Sequence, residues 1–206
     1  MSETDEFGFP LPEWKVTIEP IDPKLKRAQS LVGTSEGRPE DDFYPTPPYA
    51  TEALLKAEQF EGMMLEPCCG DGAISKVLSN HGFDVISTDL NNHGYGDIGL
   101  DFTLKDYPHK ADNVITNPPF KIAEEFLNLS LKRTTKKVAF LCKLQFLEGG
   151  KRKIMFEKEP LKKVWVFSKR LTMTRDGIKM KNSGMIAFAW YVFEHGYKGE
   201  PTLGWI

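Results

Sequence analysis

A four-residue motif, Asn117-Pro118-Pro119-Phe120, directly follows the apolar stretch NVIT and carries the most specific chemical signal of the chain. The prolines fix the backbone and remove two N–H donors, which leaves the Asn117 side-chain oxygen and the Pro118 carbonyl as acceptors. Both can point at one –NH2 group, and the Phe120 ring offers a flat face to a planar substrate. The motif predicts a positioned arylamine that attacks an electrophilic methyl group. The alternative is a proline turn that opens a helix.

A second group of residues predicts a binding loop. The run EPCCGDG, from Glu66 to Gly72, follows a short apolar stretch, and its Gly70 and Gly72 permit a tight turn beside a ligand. A G-x-G-x-x-G fingerprint is absent and a carboxylate precedes the glycines, which favours a smaller ligand with a positive group near Glu66 over a pyrophosphate. Asp89, 23 residues beyond Glu66, is predicted to accept hydrogen bonds from ribose hydroxyls. The alternative for the glycine loop is a plain tight turn, and the alternatives for Asp89 are a helix cap or an Asx turn with Asn91 and Asn92.

These residues must be positioned by alternating strands and helices, which begin near residue 43. The alternation predicts an α/β fold with a mostly parallel, seven-stranded sheet and helices on both faces. Only the loop LTMTRDGIKMKNS joins the last two strands, around Val164–Phe167 and Met185–Phe193, so an antiparallel edge hairpin is expected. Residues 1–42 are rich in Pro, Glu and Asp and are predicted to form a flexible arm before a domain over 43–206.

Composition limits the broad class of protein. The 206 residues are 40% hydrophobic, which suits one globular domain. No apolar run reaches bilayer length and the N-terminus lacks a signal core, so a cytoplasmic protein without membrane contact is expected. The cysteines at positions 68, 69 and 142 form neither a disulfide framework nor a zinc pattern, and no metal site is predicted.

Positive charge is concentrated in one part of the chain. The whole sequence has a net charge of −2, yet residues 132–181 contain sixteen Lys or Arg and only four Asp or Glu. Such asymmetry favours a face that meets an anionic partner, with an ordinary solvated surface as the alternative. Nucleic acid is therefore one expected partner.

Taken together, EPCCGDG, Asp89 and NPPF resemble the class I methyltransferases that use S-adenosyl-L-methionine (SAM). NPPF resembles the catalytic motif of the amino-methyltransferase branch. FYPTP, from Phe43, resembles the upstream motif of N6-adenine DNA methyltransferases, and Asp101-Phe102 resembles the family's acidic–aromatic pair near the SAM adenine. The stretch QFLEGGKRKIMFEKEPLKKVWVFSKR resembles compact adenine methyltransferases of phages and prophages. The resemblance covers roughly residues 43–206. It implies a Rossmann-like fold, SAM as cofactor, transfer to N6 of adenine in DNA, and flipping of the target base out of the duplex.

The resemblance and the residue patterns together assign three groups of site residues. The predicted catalytic residues are Asn117, Pro118, Pro119 and Phe120. The predicted SAM contacts are Tyr44, Thr46, Pro47, Glu66, Pro67, Cys68, Gly70, Gly72, Asp89, Leu90, Asp101, Phe102 and Asn117. The predicted nucleic-acid contacts are Lys151, Arg152, Arg175, Lys179 and Lys181.

Several alternatives stay open at this point. Larger DNA methyltransferases carry a separate target-recognition domain, whereas this chain ends soon after its last predicted strand, so we expect loops, the arm or a second subunit to read the target. RNA adenine and protein glutamine are alternative acceptors, and a catalytically silent binding module is an alternative of another class. A nicotinamide oxidoreductase is disfavoured by the missing third glycine. The sequence is compatible with a monomer or a homodimer.

Overall fold

The computed structural model describes residues 43–172 and 186–206, together with the backbone of two short strands between them. The predicted arm over 1–42 and Lys181 lie outside the described residues, as do the side chains of Arg175 and Lys179. Within the described part of the chain, each helix is too short or too polar to span a bilayer.

Four α-helices and ten strands follow one another along the part of the chain that the structure describes. The helices are α1 (Pro48–Ala57), α2 (Ala73–Asn80), α3 (Ala123–Arg133) and α4 (Gly150–Lys158). The strands are β1 (Met64–Glu66), β2 (Val85–Asp89), β3 (Asp97–Ile98), β4 (Ala111–Thr116), β5 (Thr134–Lys143), β6 (Leu161–Val166), β7 (Thr174–Arg175), β8 (Ile178–Lys179), β9 (Phe188–Glu194) and β10 (Thr202–Trp205). Short 3-10 helices cover Phe120–Ile122 and Leu144–Leu147.

Eight of the strands form one sheet in the order β10-β6-β9-β5-β4-β1-β2-β3. Neighbouring strands from β5 to β3 are parallel, and β9 runs antiparallel to β5 and β6. The predicted α/β class and the antiparallel pair are therefore confirmed. The predicted count of seven strands is wrong, because β10 adds a parallel edge strand beside β6. Gly204 permits that pairing, since a Cβ atom there would overlap the Trp165 ring.

Alternating side chains divide the core between the two faces of the sheet. Along β9, Tyr191 and Phe193 belong to the cluster that packs under α3, whereas Trp190 and Val192 belong to the cluster under α1 and α2. The same alternation recurs along β5. Because both faces of these two central strands are apolar and buried, helices must cover both. This arrangement fixes the loops at the ends of the strands.

The sheet has two ends with different loops. The carboxyl rim is the end of the sheet where β1, β2, β4, β5 and β6 end, and it includes the loops over residues 67–72, 90–96 and 117–122. The amino rim is the opposite end, where β4, β5 and β6 begin. The strand order reverses between β1 and β4, and open α/β sheets bind ligands at the carboxyl end of such a switch point.

Candidate active site

A cavity of about 400 Å³ opens at the carboxyl rim, beside the β1–β4 switch point. This volume is within the range of small-molecule sites. Ten predicted SAM contacts line it, namely Tyr44, Thr46, Glu66, Pro67, Cys68, Asp89, Leu90, Asp101, Phe102 and Asn117. The structure therefore brings together side chains that are far apart in sequence. Pro47, Gly70 and Gly72 are not part of the lining.

Asp89 lies at the end of β2 and joins two of the loops. Its Oδ2 accepts a hydrogen bond from the Gly70 amide at 2.9 Å, and its Oδ1 accepts one from the Asn91 amide at 2.8 Å. A carboxylate oxygen can accept more than one hydrogen bond. Asp89 can thus hold the two loops in place and still accept a hydrogen bond from a hydroxyl group of a ligand. The Asn91 contact also shows that the Asx turn anticipated as an alternative is present.

Glu66 has a different environment from the one that its place in the motif suggests. Its Oε2 accepts hydrogen bonds from the Ser75 amide, at 2.8 Å, and from the Ser75 hydroxyl, so the carboxyl group caps the start of α2. Gly72 at the N-cap position offers no side chain for this purpose. Burial raises the pKa of the Glu66 carboxyl well above its usual range. The group therefore supports the loop as well as lining the cavity.

Gly70 and Gly72 both have positive φ, 54° and 79°, as a tight turn requires. Their close neighbours are aromatic rings rather than the cavity. A Cβ atom at Gly70 would overlap the Phe43 ring, and one at Gly72 would lie 2.5 Å from the Tyr95 ring. The Phe43 ring in turn stacks on His93 with ring centroids 4.0 Å apart. The absence of a side chain at the two glycines thus allows the Phe43 and Tyr95 rings to pack against the loop.

The two thiols of this loop are kept protonated. Burial raises the pKa of Cys68 well above its ordinary value and that of Cys69 to about 12. A thiol is a much weaker nucleophile than a thiolate. Burial therefore protects these side chains from alkylation by an electrophilic ligand in the cavity.

Asn117 follows β4 and is held in one orientation. Its Nδ2 donates hydrogen bonds to the Tyr44 carbonyl at 3.2 Å and to the Thr46 hydroxyl at 3.3 Å. Because a carbonyl can only accept, the amide nitrogen must face Tyr44. The other atom of the amide, Oδ1, is buried and has no hydrogen-bond partner among the described residues. A buried acceptor without a donor is costly unless a ligand or water supplies one.

The rest of the motif is only partly at the cavity. Pro119 lines it, whereas Pro118 and Phe120 do not. The Phe120 ring is surrounded by other side chains. Its centroid is 6.4 Å from that of Tyr44 and 6.1 Å from that of Phe188. Lys143 Nζ lies 4.9 Å from the Phe120 centroid. A planar substrate would therefore have to enter beside Tyr44 or displace Lys143 to stack on this ring.

The sequence patterns missed several residues that line the cavity. Phe43, His93, Thr103, Lys121, Ile122 and Phe126 all belong to its wall. Lys121 and Ile122 directly follow NPPF, and Phe43 begins FYPTP, so adjacency to a motif was the available signal. Thr103 binds the Asp101 carboxylate through its amide at 2.8 Å and its hydroxyl at 2.7 Å. Asp101 is thus engaged within its own loop.

The predicted nucleic-acid contacts do not form one uniform group. Lys151 is exposed at the first turn of α4. Arg152 lies beside it, but its guanidinium contacts the Glu124 carboxylate at 3.0 Å and the Gln145 and Glu148 carbonyls at 3.1 and 3.3 Å. Arg152 thereby ties α4 to its neighbours. The roles predicted for both residues stay predictions.

Comparison with known proteins supports the fold. No family model and no curated protein sequence matches the chain. A proposed RNA methyltransferase, PH1948 of Pyrococcus horikoshii, superposes with a TM-score of 0.57 at 16% identity, over 83% of this chain and 97% of that one. The M protein of type I restriction enzyme EcoKI superposes with a TM-score of 0.52 at 16% identity, over 84% of this chain and 47% of that one. A predicted O-methyltransferase, Atu636 of Agrobacterium tumefaciens, superposes with a TM-score of 0.56 at 10% identity, over 77% of this chain and 85% of that one. At these identities the likeness establishes the Rossmann-like fold of methyltransferases and no substrate.

Proposed function

We propose that this chain is a SAM-dependent methyltransferase that acts on an exocyclic amine, and that the amine is N6 of adenine in DNA. One observation carries the proposal: the buried Asn117 Oδ1 lacks a donor among the described residues, while Asn117 Nδ2 is held by Tyr44 and Thr46. A free, oriented acceptor beside a cavity suits a substrate that brings an N–H group. A catalytically silent module has no need of it.

The lining of the cavity fits SAM as the cofactor. Asp89 offers carboxylate oxygens where ribose hydroxyls are expected, and Leu100 and Phe102 offer apolar surface to a purine. The segment from Tyr44 to Thr46 adds a third wall, next to Asn117. When bound, SAM supplies a methyl group made electrophilic by a positively charged sulfur. The protonated thiols of Cys68 and Cys69 leave that methyl group to the substrate.

Asn117 then acts on the substrate amine. Its Oδ1 accepts one amine hydrogen and holds the nitrogen in place, which favours a lone pair that is less delocalised into the ring. The contribution is one of positioning and of a preorganised dipole, and no strong base is required. The Pro118 carbonyl is the second acceptor in this proposal. Phe120 provides a ring beside which the base can stack.

Nucleic acid is favoured as the substrate by the charge at the carboxyl rim. Lys121 lines the cavity and Lys151 is exposed at the start of α4. The segment that contains Arg175, Lys179 and Lys181 joins the end of β6 to the start of β9, and both of these strand ends lie at the same rim. Phosphate contacts from such residues would position a duplex without reading its sequence. DNA is proposed over RNA on the resemblance of NPPF and FYPTP.

Paired variants test the assignment of roles. Asn117→Ala removes the acceptor and is expected to lower the rate of transfer by about 100-fold or more, with the dissociation constant of SAM nearly unchanged. Asp89→Ala is expected to weaken SAM binding instead. Calorimetry with SAM and single-turnover transfer to DNA separate the two effects. Equal loss of SAM affinity in both variants would contradict the role given to Asn117.

A further inference from the structure

Arg133, the last residue of α3, is a buried arginine whose guanidinium binds backbone carbonyls. It donates to the Phe102 carbonyl at 2.5 Å and to the Leu104 carbonyl at 2.6 Å. It also lies over two rings, 4.5 Å from the Phe102 centroid and 4.9 Å from the Tyr107 centroid. Among the described residues no carboxylate lies within ion-pair distance of it. The charge is therefore stabilised by carbonyl dipoles and ring faces.

Of the two residues whose carbonyls Arg133 binds, Phe102 lines the cavity and Leu104 ends the same loop. Phe102 lines the cavity together with Leu100, Asp101 and Thr103, and its ring packs on Tyr107 with centroids 4.9 Å apart. The Tyr107 hydroxyl is 2.6 Å from the Thr88 hydroxyl, and Thr88 directly precedes Asp89. Arg133 thus connects the loop over 100–104 with the end of β2. Both carry predicted SAM contacts.

We infer that Arg133 is a positioning residue that fixes the cofactor-facing wall over 100–104 and thereby sets the affinity for SAM without touching SAM. The inference rests on the proposed binding of SAM. An arginine suits the task, because two of its guanidinium nitrogens donate to two different carbonyls while its guanidinium carbon lies over two aromatic rings. A lysine has one compact ammonium group and cannot reproduce both carbonyl contacts and the stacking. Burying a charge without a carboxylate is expensive, so the two carbonyl contacts and the ring contacts of Arg133 must offset that cost.

The test compares Arg133→Lys with Lys132→Gln, which removes a charge from the same helix end. Arg133→Lys is expected to weaken SAM binding by about tenfold, the scale of a lost charged hydrogen bond, and to leave the rate at saturating SAM within about twofold. Without SAM, the amides over 100–107 should exchange faster in this variant. Lys132→Gln should leave SAM affinity and exchange unchanged. Tyr107→Phe removes only the Tyr107 hydroxyl, which contacts the Thr88 hydroxyl, and should weaken SAM binding by a smaller factor than Arg133→Lys.

The outcomes separate this inference from the proposed function. Unchanged SAM affinity in folded Arg133→Lys overturns the inference, and so does a loss of rate at saturating SAM with affinity retained. If Arg133→Lys does not fold, Tyr107→Phe decides, and its unchanged affinity overturns the inference. A wild-type protein that does not bind SAM overturns both claims. Wild-type binding with unaffected variants overturns only the role of Arg133.

Discussion

At the scale of single residues, the orientation of the Asn117 amide depends on two acceptors from a distant part of the chain. The Tyr44 carbonyl and the Thr46 hydroxyl both face Asn117 Nδ2, which leaves Oδ1 as the atom of the amide that has no hydrogen-bond partner among the described residues. Removing either acceptor lowers the preference for that orientation. The amide of a mutant could then present Nδ2, a donor, to the substrate amine.

This orientation predicts the effect of substituting Thr46. Thr46→Val keeps the shape of the side chain but replaces the hydroxyl by a methyl group. The rate of transfer is expected to fall by about three- to tenfold, because the Tyr44 carbonyl still holds the amide. Thr46→Ser retains the hydroxyl and serves as the control. Single-turnover transfer measured with both variants checks this, and equal rates for Val and Ser at this position would contradict it.

Glu66 predicts a dependence of stability on pH. Burial raises the pKa of its carboxyl in the folded protein above the usual 4.5, so the folded state binds the proton more tightly than the unfolded state. The associated stability is complete below the unfolded pKa and is lost as the pH rises through the folded pKa. The free energy of unfolding of the wild type should therefore decline over that interval.

Glu66→Gln removes this titration while a side-chain carbonyl remains to cap α2. Its free energy of unfolding should decline less than that of the wild type between about pH 5 and about pH 8. Urea unfolding at the two pH values gives the measurement. Parallel pH profiles for the two proteins would show that Glu66 is ionised in the folded state.

At the scale of elements, the turn after β1 combines backbone strain with close packing. Gly70 and Gly82 both have positive φ, but only Gly70 has a side chain, Phe43, in the way of a Cβ atom. Gly82→Ala therefore measures the backbone penalty alone, about 1 kcal/mol. Gly70→Ala adds the displacement of the Phe43 ring from the cavity wall.

We expect Gly70→Ala to weaken SAM binding by about tenfold or more, because both the turn and the Phe43 wall must move. Gly82→Ala, at the end of α2, should leave SAM binding unchanged and lower only the thermal midpoint. Calorimetry and thermal unfolding of both variants provide the comparison. Equal SAM affinities for the two variants would mean that the Phe43 contact is irrelevant to the site.

The sequence predicted the features that follow from the order of the strands, but not those that depend on contacts between side chains distant in sequence. The places of Asn117 and Asp89 could be predicted, because the carboxyl ends of neighbouring parallel strands meet at one rim. The capping role of Glu66 and the burial of Arg133 could not, since both depend on side-chain contacts across the fold. β10 was missed because TLGW is short and has no alternating pattern.

At the scale of the whole molecule, the described lysines of the basic segment over 132–181 are divided between the two rims. Lys136, Lys137 and Lys162 lie near the amino rim and pair with carboxylates there, including Glu61 at 3.6 Å and Glu194 at 3.3 and 2.8 Å. Lys143 and Lys151 lie at the carboxyl rim. The charge count of the sequence therefore overstates what the cavity side offers to nucleic acid.

This division predicts which lysines affect DNA binding. Lys151→Ala is expected to weaken binding to DNA and to reduce the slope of log affinity against log salt by about 0.9, the loss of one phosphate contact. Lys136→Ala removes the same charge at the amino rim and should leave the slope unchanged. Salt titrations of DNA binding measure both. An effect of Lys136→Ala as large as that of Lys151→Ala would place the DNA elsewhere.

The most direct test of the central claim is methyl transfer from radiolabelled SAM to DNA, RNA and a protein extract in parallel, followed by nucleoside and amino-acid analysis. We predict label in DNA as N6-methyladenine with the wild type and none with Asn117→Ala. Label in RNA or protein instead would contradict the proposed substrate and leave the chemistry of the site standing. Bound SAM without label in any acceptor would contradict the proposed activity itself.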